Sequence, residues 1–450
     1  MSIEHQRRKI RMKHSYIIRC TIILLISLYI KECIHHQNDK KQLFCNDIET
    51  NLDIESTNAD VWLTIFVHGT IVLHPRFLIE NIAALKHDKV DDTLYGHVIK
   101  DARSISFFFQ SQAIQEPGLK KINESLIKRG YTSGALAYTI QRLQCFMSLD
   151  NQTRNHYYTF GWSGLISNSS RKEAAHKLYI QLDNQIREYK QRGINPKIRL
   201  IGYSHGGNVC LNMAHYACNN DWHVDELILL GVPVQPATDY LIADPLFKKS
   251  YHIYSREDHV QQHDFFSFGF SRQYFKPHGE FELPDNLTQI KLRVAKTVSC
   301  EYPIIARQHS FIYHRPLSPG HIELWFFGWT PNYYRKRYPF YPLPTIAFIP
   351  YVIHQIQQNV TGHDPERPLV VTLAPEQEIM SIAMNKKDKC PLIVPFVPME
   401  TLDELTELML TDYKPHNYRE RFYKKRDCII REAIKKHMKK RPTSPDNYCQ

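Results

Sequence analysis

The sequence predicts an α/β fold: a doubly wound, mostly parallel sheet with a helical insertion and a C-terminal extension. Three observations lead there. Short β-branched strands alternate with helical patterns between residues 61 and 294, and such alternation calls for parallel strands with helices packed on the faces. Gly202-Tyr203-Ser204-His205-Gly206 joins one of those strands directly to a helix. The chain's 450 residues leave room for one such sheet plus accessory pieces, and no internal repeat stands out.

Taken in order, residues 61–67 form a near-continuous apolar run, the pattern of a strand covered on both faces, and end in His68-Gly69-Thr70. Residues 71–155 then interrupt the alternation with two helical patterns, around 75–86 and 134–147. A lid or cap over the site is the expected use of this insertion, with added scaffold as the alternative. A strand at 156–162 follows, its tail Ser163-Gly164 reaching the same edge as the serine turn. A charged helix spans 171–192, its apolar positions Ala175, Leu178, Ile180, Leu182 and Ile186 following helical spacing only roughly, and Gly193 stops it. Further strands are expected at 197–201, 224–231, 251–255 and 289–294, with a buried helix at 207–214.

A serine held at a sharp strand-to-helix turn between glycines has the form of a nucleophile elbow. With only 17 glycines in the chain, the G-x-S-x-G spacing in this context stands well above chance expectation. A serine nucleophile needs a base, and the base needs an orienting acid. Asp258 lies in the loop just past the strand at 251–255, and Asp244 and Asp264 are its rivals. Among 24 histidines, His321 opens an apolar run after the turn Ser318-Pro319-Gly320, whereas His309 and His314 sit in an aromatic stretch better suited to packing. His259 and His263 share the i, i+4 spacing of a zinc-binding helix but lack its glutamate and a third ligand, so no metal is expected.

Phe66-Val67-His68-Gly69-Thr70 and Ile201-Gly202-Tyr203-Ser204-His205-Gly206-Gly207 resemble the α/β-hydrolase superfamily, in particular its lipase/esterase-like branch. The resemblance covers residues 61–325 and includes the chain order serine, acid, histidine. It implies the α/β-hydrolase fold and a serine hydrolase that cleaves carboxylic esters, lipid or other acyl esters, through an acyl-enzyme and without a cofactor. Ser204 would be the nucleophile, His321 the base and Asp258 the orienting acid. The N–H groups of Thr70 and His205 would form the oxyanion hole, framed by the motif residues His68, Gly69, Gly202 and Gly206. The insertion at 71–155 and everything after Trp329 depart from the pattern. The alternative is a catalytically inactive hydrolase-fold binding protein, or a membrane-associated interaction protein.

These readings divide the chain into a targeting segment at 1–33, a hydrolase-type domain at 45–330 and an extension at 331–450. In the first, five basic residues between Arg7 and Lys13 precede an apolar run at 20–30. That run is short for a membrane span and suits a signal peptide or signal anchor, so an exported or membrane-anchored protein is expected. The ten cysteines show no C-x-x-C pair; Cys145, Cys210 and Cys218 read as buried, while Cys300, Cys390, Cys428 and Cys449 are free to form bridges in an oxidising compartment. The net charge of +11 is held by the ends. Residues 1–31 carry seven Lys/Arg against one Glu, and 414–441 carry twelve against three acids. The rest is slightly acidic, which excludes nucleic acid as a partner of the core. The lysine-rich helix of the tail is expected to be a solvated face, with a membrane surface as the alternative partner. The aromatic, proline-rich segment 333–344 is expected to pack on the core, or else to line an acyl groove.

Overall fold

The computed structural model describes residues 60–73, 88–122, 132–144, 146–147, 153–217, 221–262, 271–304, 307–329, 338–384, 390–411 and 417–440, with backbone alone for 297–315, 411 and 437–440. The expected targeting segment, the helical pattern at 75–86, His263 and Asp264 lie outside the described residues. The strands are β1 (Asp60–Val67), β2 (Gly118–Lys121), β3 (Thr153–Gly161), β4 (Lys197–Tyr203), β5 (Glu226–Leu230) and β6 (Ser250–Tyr254). They continue with β7 (Leu287–Ile304), β8 (Arg307–Leu317), β9 (Leu369–Ala374), β10 (Ile379–Ala383) and β11 (Leu392–Pro395). The helices are α1 (Leu94–Arg103), α2 (Thr132–Gln144), α3 (Asn168–Gln191), α4 (His205–Asn212), α5 (His259–Gln262), α6 (His321–Trp325), α7 (Ile349–Asn359), α8 (Met399–Thr411) and α9 (Tyr418–Lys440).

All these strands belong to one 11-stranded sheet in the order β11-β10-β9-β7-β6-β5-β4-β1-β3-β2, with β8 paired to β7 off that path. From β3 through β1, β4, β5, β6 and β7 to β9 every neighbour is parallel. The flanks β2, β8, β10 and β11 are antiparallel. The protein is therefore α/β with a mostly parallel mixed sheet.

Side-chain alternation along the strands explains their apolar sequences. Leu63, Ile65, Val67, Leu227 and Leu229 face one side, where they pack with Leu178 and Leu182 of α3 and Val209 of α4. Phe66, Ile201, Ile228, Leu230 and Ile253 face the other, with Leu136 and Ile140 of α2 and Val352 of α7. Helices thus cover both faces, and a strand buried on both sides is predominantly apolar. Helix α3 begins where Ser167 accepts a hydrogen bond from the Ser170 N–H, satisfying one orphan donor of its first turn. Gly193, at φ +77°, supplies the left-handed residue past its end.

Two segments are organised differently from the sequence reading. The sheet does not end near residue 330: β9, β10 and β11 extend it beyond β7, and α7 covers its face. The insertion at 71–155 contributes not only α2 but also β2, paired antiparallel to β3 at the opposite edge. The C-terminal α9 buries Tyr418, Phe422, Ile429 and Ala433 in a cluster with Val98, Ile99 and Ala102 of α1. Tyr338, Phe340 and Leu343 of the aromatic segment are core residues. Cys210 is buried, whereas Cys390 and Cys428 are exposed. Among the described residues, no helix is long and apolar enough to cross a membrane.

Candidate active site

Topology marks one place in this sheet. β1 and β4 are neighbours, yet the chain leaves β1 toward β3 on one side and leaves β4 toward β5 on the other. Where successive connections part in this way, a crevice opens at the carboxyl ends of the strands. His68-Gly69-Thr70 follows β1 directly and Ser204 follows β4 directly. The register pairs Val67 with Gly202, which sets the two strand ends side by side.

Ser204 adopts φ +52° and ψ −134°, a conformation costing a non-glycine residue about 1–3 kcal/mol. It is held there by its own N–H, which donates to Leu230 O at 2.9 Å, and by α4 starting at the next residue. Its neighbours are glycine for steric reasons. A Cβ on Gly206 would lie 2.4 Å from both Val67 O and His68 O, and one on Gly69 would lie 2.7 Å from Ser204 Cβ. Side chains on either residue would push the two strand ends apart.

The predicted acid and base meet. Asp258, in the loop after β6, is fully buried, and its Oδ2 lies 2.8 Å from His321 Nδ1. The other oxygen accepts the Gln261 N–H at 3.0 Å. A carboxylate facing Nδ1 fixes the proton on that nitrogen and leaves Nε2 as the basic one. The pair is seated against the serine turn. The Tyr203 ring lies 4.7 Å from the His321 ring, and its hydroxyl donates to His321 O at 2.8 Å. Gly231, next to the Leu230 that binds Ser204 N–H, faces Asp258 Oδ2 and His321 Nδ1 with no side chain between. No Ser204–His321 hydrogen bond is formed among the described residues, and Ser204 is only 4% exposed. Nucleophile–base contacts in empty sites are commonly long and tighten when substrate binds. Of the rivals, Asp244 caps a local turn through Leu246 N–H, and the side chains of His309 and His314 lie outside the description.

The loop after β1 is rigidly fixed. His68 is fully buried and its pKa is pulled down to about 3, by burial first and then by the nearby Arg103 charge. Its neutral ring accepts the Trp162 N–H at Nε2 (3.2 Å), so Nδ1 carries the proton and donates to Gly69 O at 2.7 Å. The Trp162 indole N–H returns a bond to His68 O at 2.7 Å. Thr70, next in line, has a buried Oγ1 with no partner among the described residues. His205, at the first position of α4, receives Arg171 Nη1 and Asn208 Nδ2 at its Nδ1 (3.3 and 3.4 Å). The backbone N–H of His205 belongs to the unpaired first turn of a helix, where negative charge is favoured.

Sequence reasoning missed Tyr203, Trp162, Gly231, Gln261 and Arg171. All but Gln261, which bonds Asp258 three residues away, act across contacts between distant segments, for which a single sequence carries no signal. Comparison of the chain with family models, with curated proteins and with solved structures finds no match in any of the three.

Proposed function

We propose that this protein is a serine hydrolase of the α/β-hydrolase type that cleaves carboxylic esters. The observation that carries the reading is the buried Asp258–His321 pair, packed through Tyr203 and Gly231 onto the strained Ser204 at the end of β4. In this reading, His321 Nε2 takes the proton from Ser204 Oγ as the oxygen attacks an acyl carbonyl. Asp258 holds the imidazole's tautomer and offsets the imidazolium charge. The tetrahedral oxyanion rests on the N–H groups of Thr70 and His205. The imidazolium then gives its proton to the leaving alcohol, and water, activated by the same ring, releases the acid.

Substrates of the lipid or acyl-ester class fit a serine that is nearly covered, because an interface or micelle can stabilise a more open state. Hydrolysis of uncharged esters of graded acyl length tests the proposal, measured with and without detergent micelles. Turnover that is raised by micelles and abolished in Ser204→Ala is the expected result. Turnover that survives in Ser204→Ala would refute it.

A further inference from the structure

The short helix that opens with His321 is held from three distant parts of the chain. α6 (His321–Trp325) has five residues, and the last four carbonyls of any helix lack partners within it. Nearly all of its carbonyls must therefore be met from outside. Ile322 O accepts the Phe326 N–H at 2.9 Å. Three others are met by side chains. The Tyr203 hydroxyl, from the serine turn, donates to His321 O at 2.8 Å. Thr345, from the C-terminal extension, donates its hydroxyl to Glu323 O at 2.9 Å. Gln112, from the insertion, donates through Nε2 to Trp325 O at 2.7 Å.

Gln112 grips two backbone groups at once. Its Oε1 also accepts the Phe327 N–H at 3.0 Å, so one planar amide bridges the residues on either side of Phe326. Gln112, Trp325 and Thr345 are fully buried, and an amide engaged at both ends has a single orientation. Trp325 carries the constraint back toward the base. Its ring stacks on Tyr203 with centroids 4.8 Å apart, and the Tyr203 ring lies 4.7 Å from His321. Thr345 is fixed in turn: its one proton goes to Glu323 O, so the Tyr338 hydroxyl donates to Thr345 Oγ1 at 2.8 Å. The insertion and the extension, which share no counterpart in the resemblance read from the sequence, meet on this one helix.

We propose that Gln112 and Thr345 are positioning residues that set the His321 imidazole against Asp258 and Ser204. A base must be held to within about 0.5 Å by the hydrogen bonds and packing around it, and α6 is too short to supply these itself. The insertion and the extension serve the base directly, beyond any covering or scaffolding role. The effect on turnover rests on the hydrolase reading; the placement of His321 against Asp258 does not.

Three variants and two readouts test this. Gln112→Met fills similar unbranched space without either hydrogen bond, Thr345→Val removes only the hydroxyl, and Thr345→Ser keeps it. Circular dichroism first establishes that each chain is folded. In ester kinetics per folded chain, kcat is expected to fall on the order of 10- to 100-fold in Gln112→Met and Thr345→Val, with KM little changed. Thr345→Ser is expected to keep the wild-type kcat. The second readout needs no substrate. The proton on His321 Nδ1, facing Asp258 Oδ2 across 2.8 Å, gives a far-downfield signal in proton NMR. That signal is expected in the wild type and Thr345→Ser, and broadened or lost in Gln112→Met and Thr345→Val. A merely structural role would lower the folded fraction and leave kcat and the signal of the folded chains unchanged, and that result would overturn the proposal. A wild-type chain that turns over no ester would count against the hydrolase reading alone, and the NMR signal would still decide the placement of the base.

Discussion

Asp258→Asn separates the role of the carboxylate from its shape. The amide fills the same space beside His321 Nδ1 (2.8 Å in the native pair) but no longer favours the proton there. A fall in kcat on the order of 10⁴-fold, with KM little changed, is expected from ester kinetics. Gly206→Ala tests the turn itself. Its methyl would sit 2.4 Å from two carbonyl oxygens of the neighbouring strand end, and the forced shift should cost about 3 kcal/mol in chemical denaturation, with loss of activity. At this scale much of the candidate site was legible. Ser204, Asp258 and His321 each stand at a strand end or a turn, where local composition announces them. Tyr203 was read only as part of the turn, because its hydroxyl finds the His321 carbonyl across 118 residues.

At the scale of elements, the strands preceding the site could be read from their apolar runs, and α3 from its spacing and its terminal glycine. The edge beyond β7 could not. β9 has the sequence Leu-Val-Val-Thr-Leu-Ala, a good strand, but nothing local says that it lies parallel to a strand that began some eighty residues earlier. The same holds for α9, whose lysines suggest a solvated helix while its Tyr418, Phe422, Ile429 and Ala433 stripe is buried. Phe422 meets the Phe108 ring edge-on at 5.3 Å. Phe422→Ala should destabilise the protein by about 3 kcal/mol, and hydrogen exchange should show the loss concentrated in α9 and α1. A loss below 1 kcal/mol would mean that the helix adds little to the fold.

For the whole molecule, buried histidines set the acid limit. His68 and His252 are completely buried, and burial lowers their pKa from 6.5 to about 3 and about 4. Above pH 6.5 both rings are neutral whether the chain is folded or not. As pH falls from there toward the folded values, the unfolded chain binds protons that the folded chain refuses, so stability is lost. Between pH 7 and pH 5 the loss should be about 2 kcal/mol per ring, read from urea denaturation at each pH; replacing His252 with Gln should flatten that slope. Charge is divided between the ends and the rest of the chain: the described arginines and lysines of the basic α9, up to Lys436, are exposed or half-buried, while the chain between the two basic ends is slightly acidic.

The central claim is that Ser204 is an activated nucleophile. Treating the full-length chain in detergent micelles with a fluorophosphonate probe, then mapping the adduct by peptide mass spectrometry, tests it most directly. A single adduct on Ser204, absent in Ser204→Ala and strongly reduced in His321→Ala, is the predicted result. A folded wild-type chain that stays unlabelled, or one labelled elsewhere with the adduct persisting in Ser204→Ala, would contradict it.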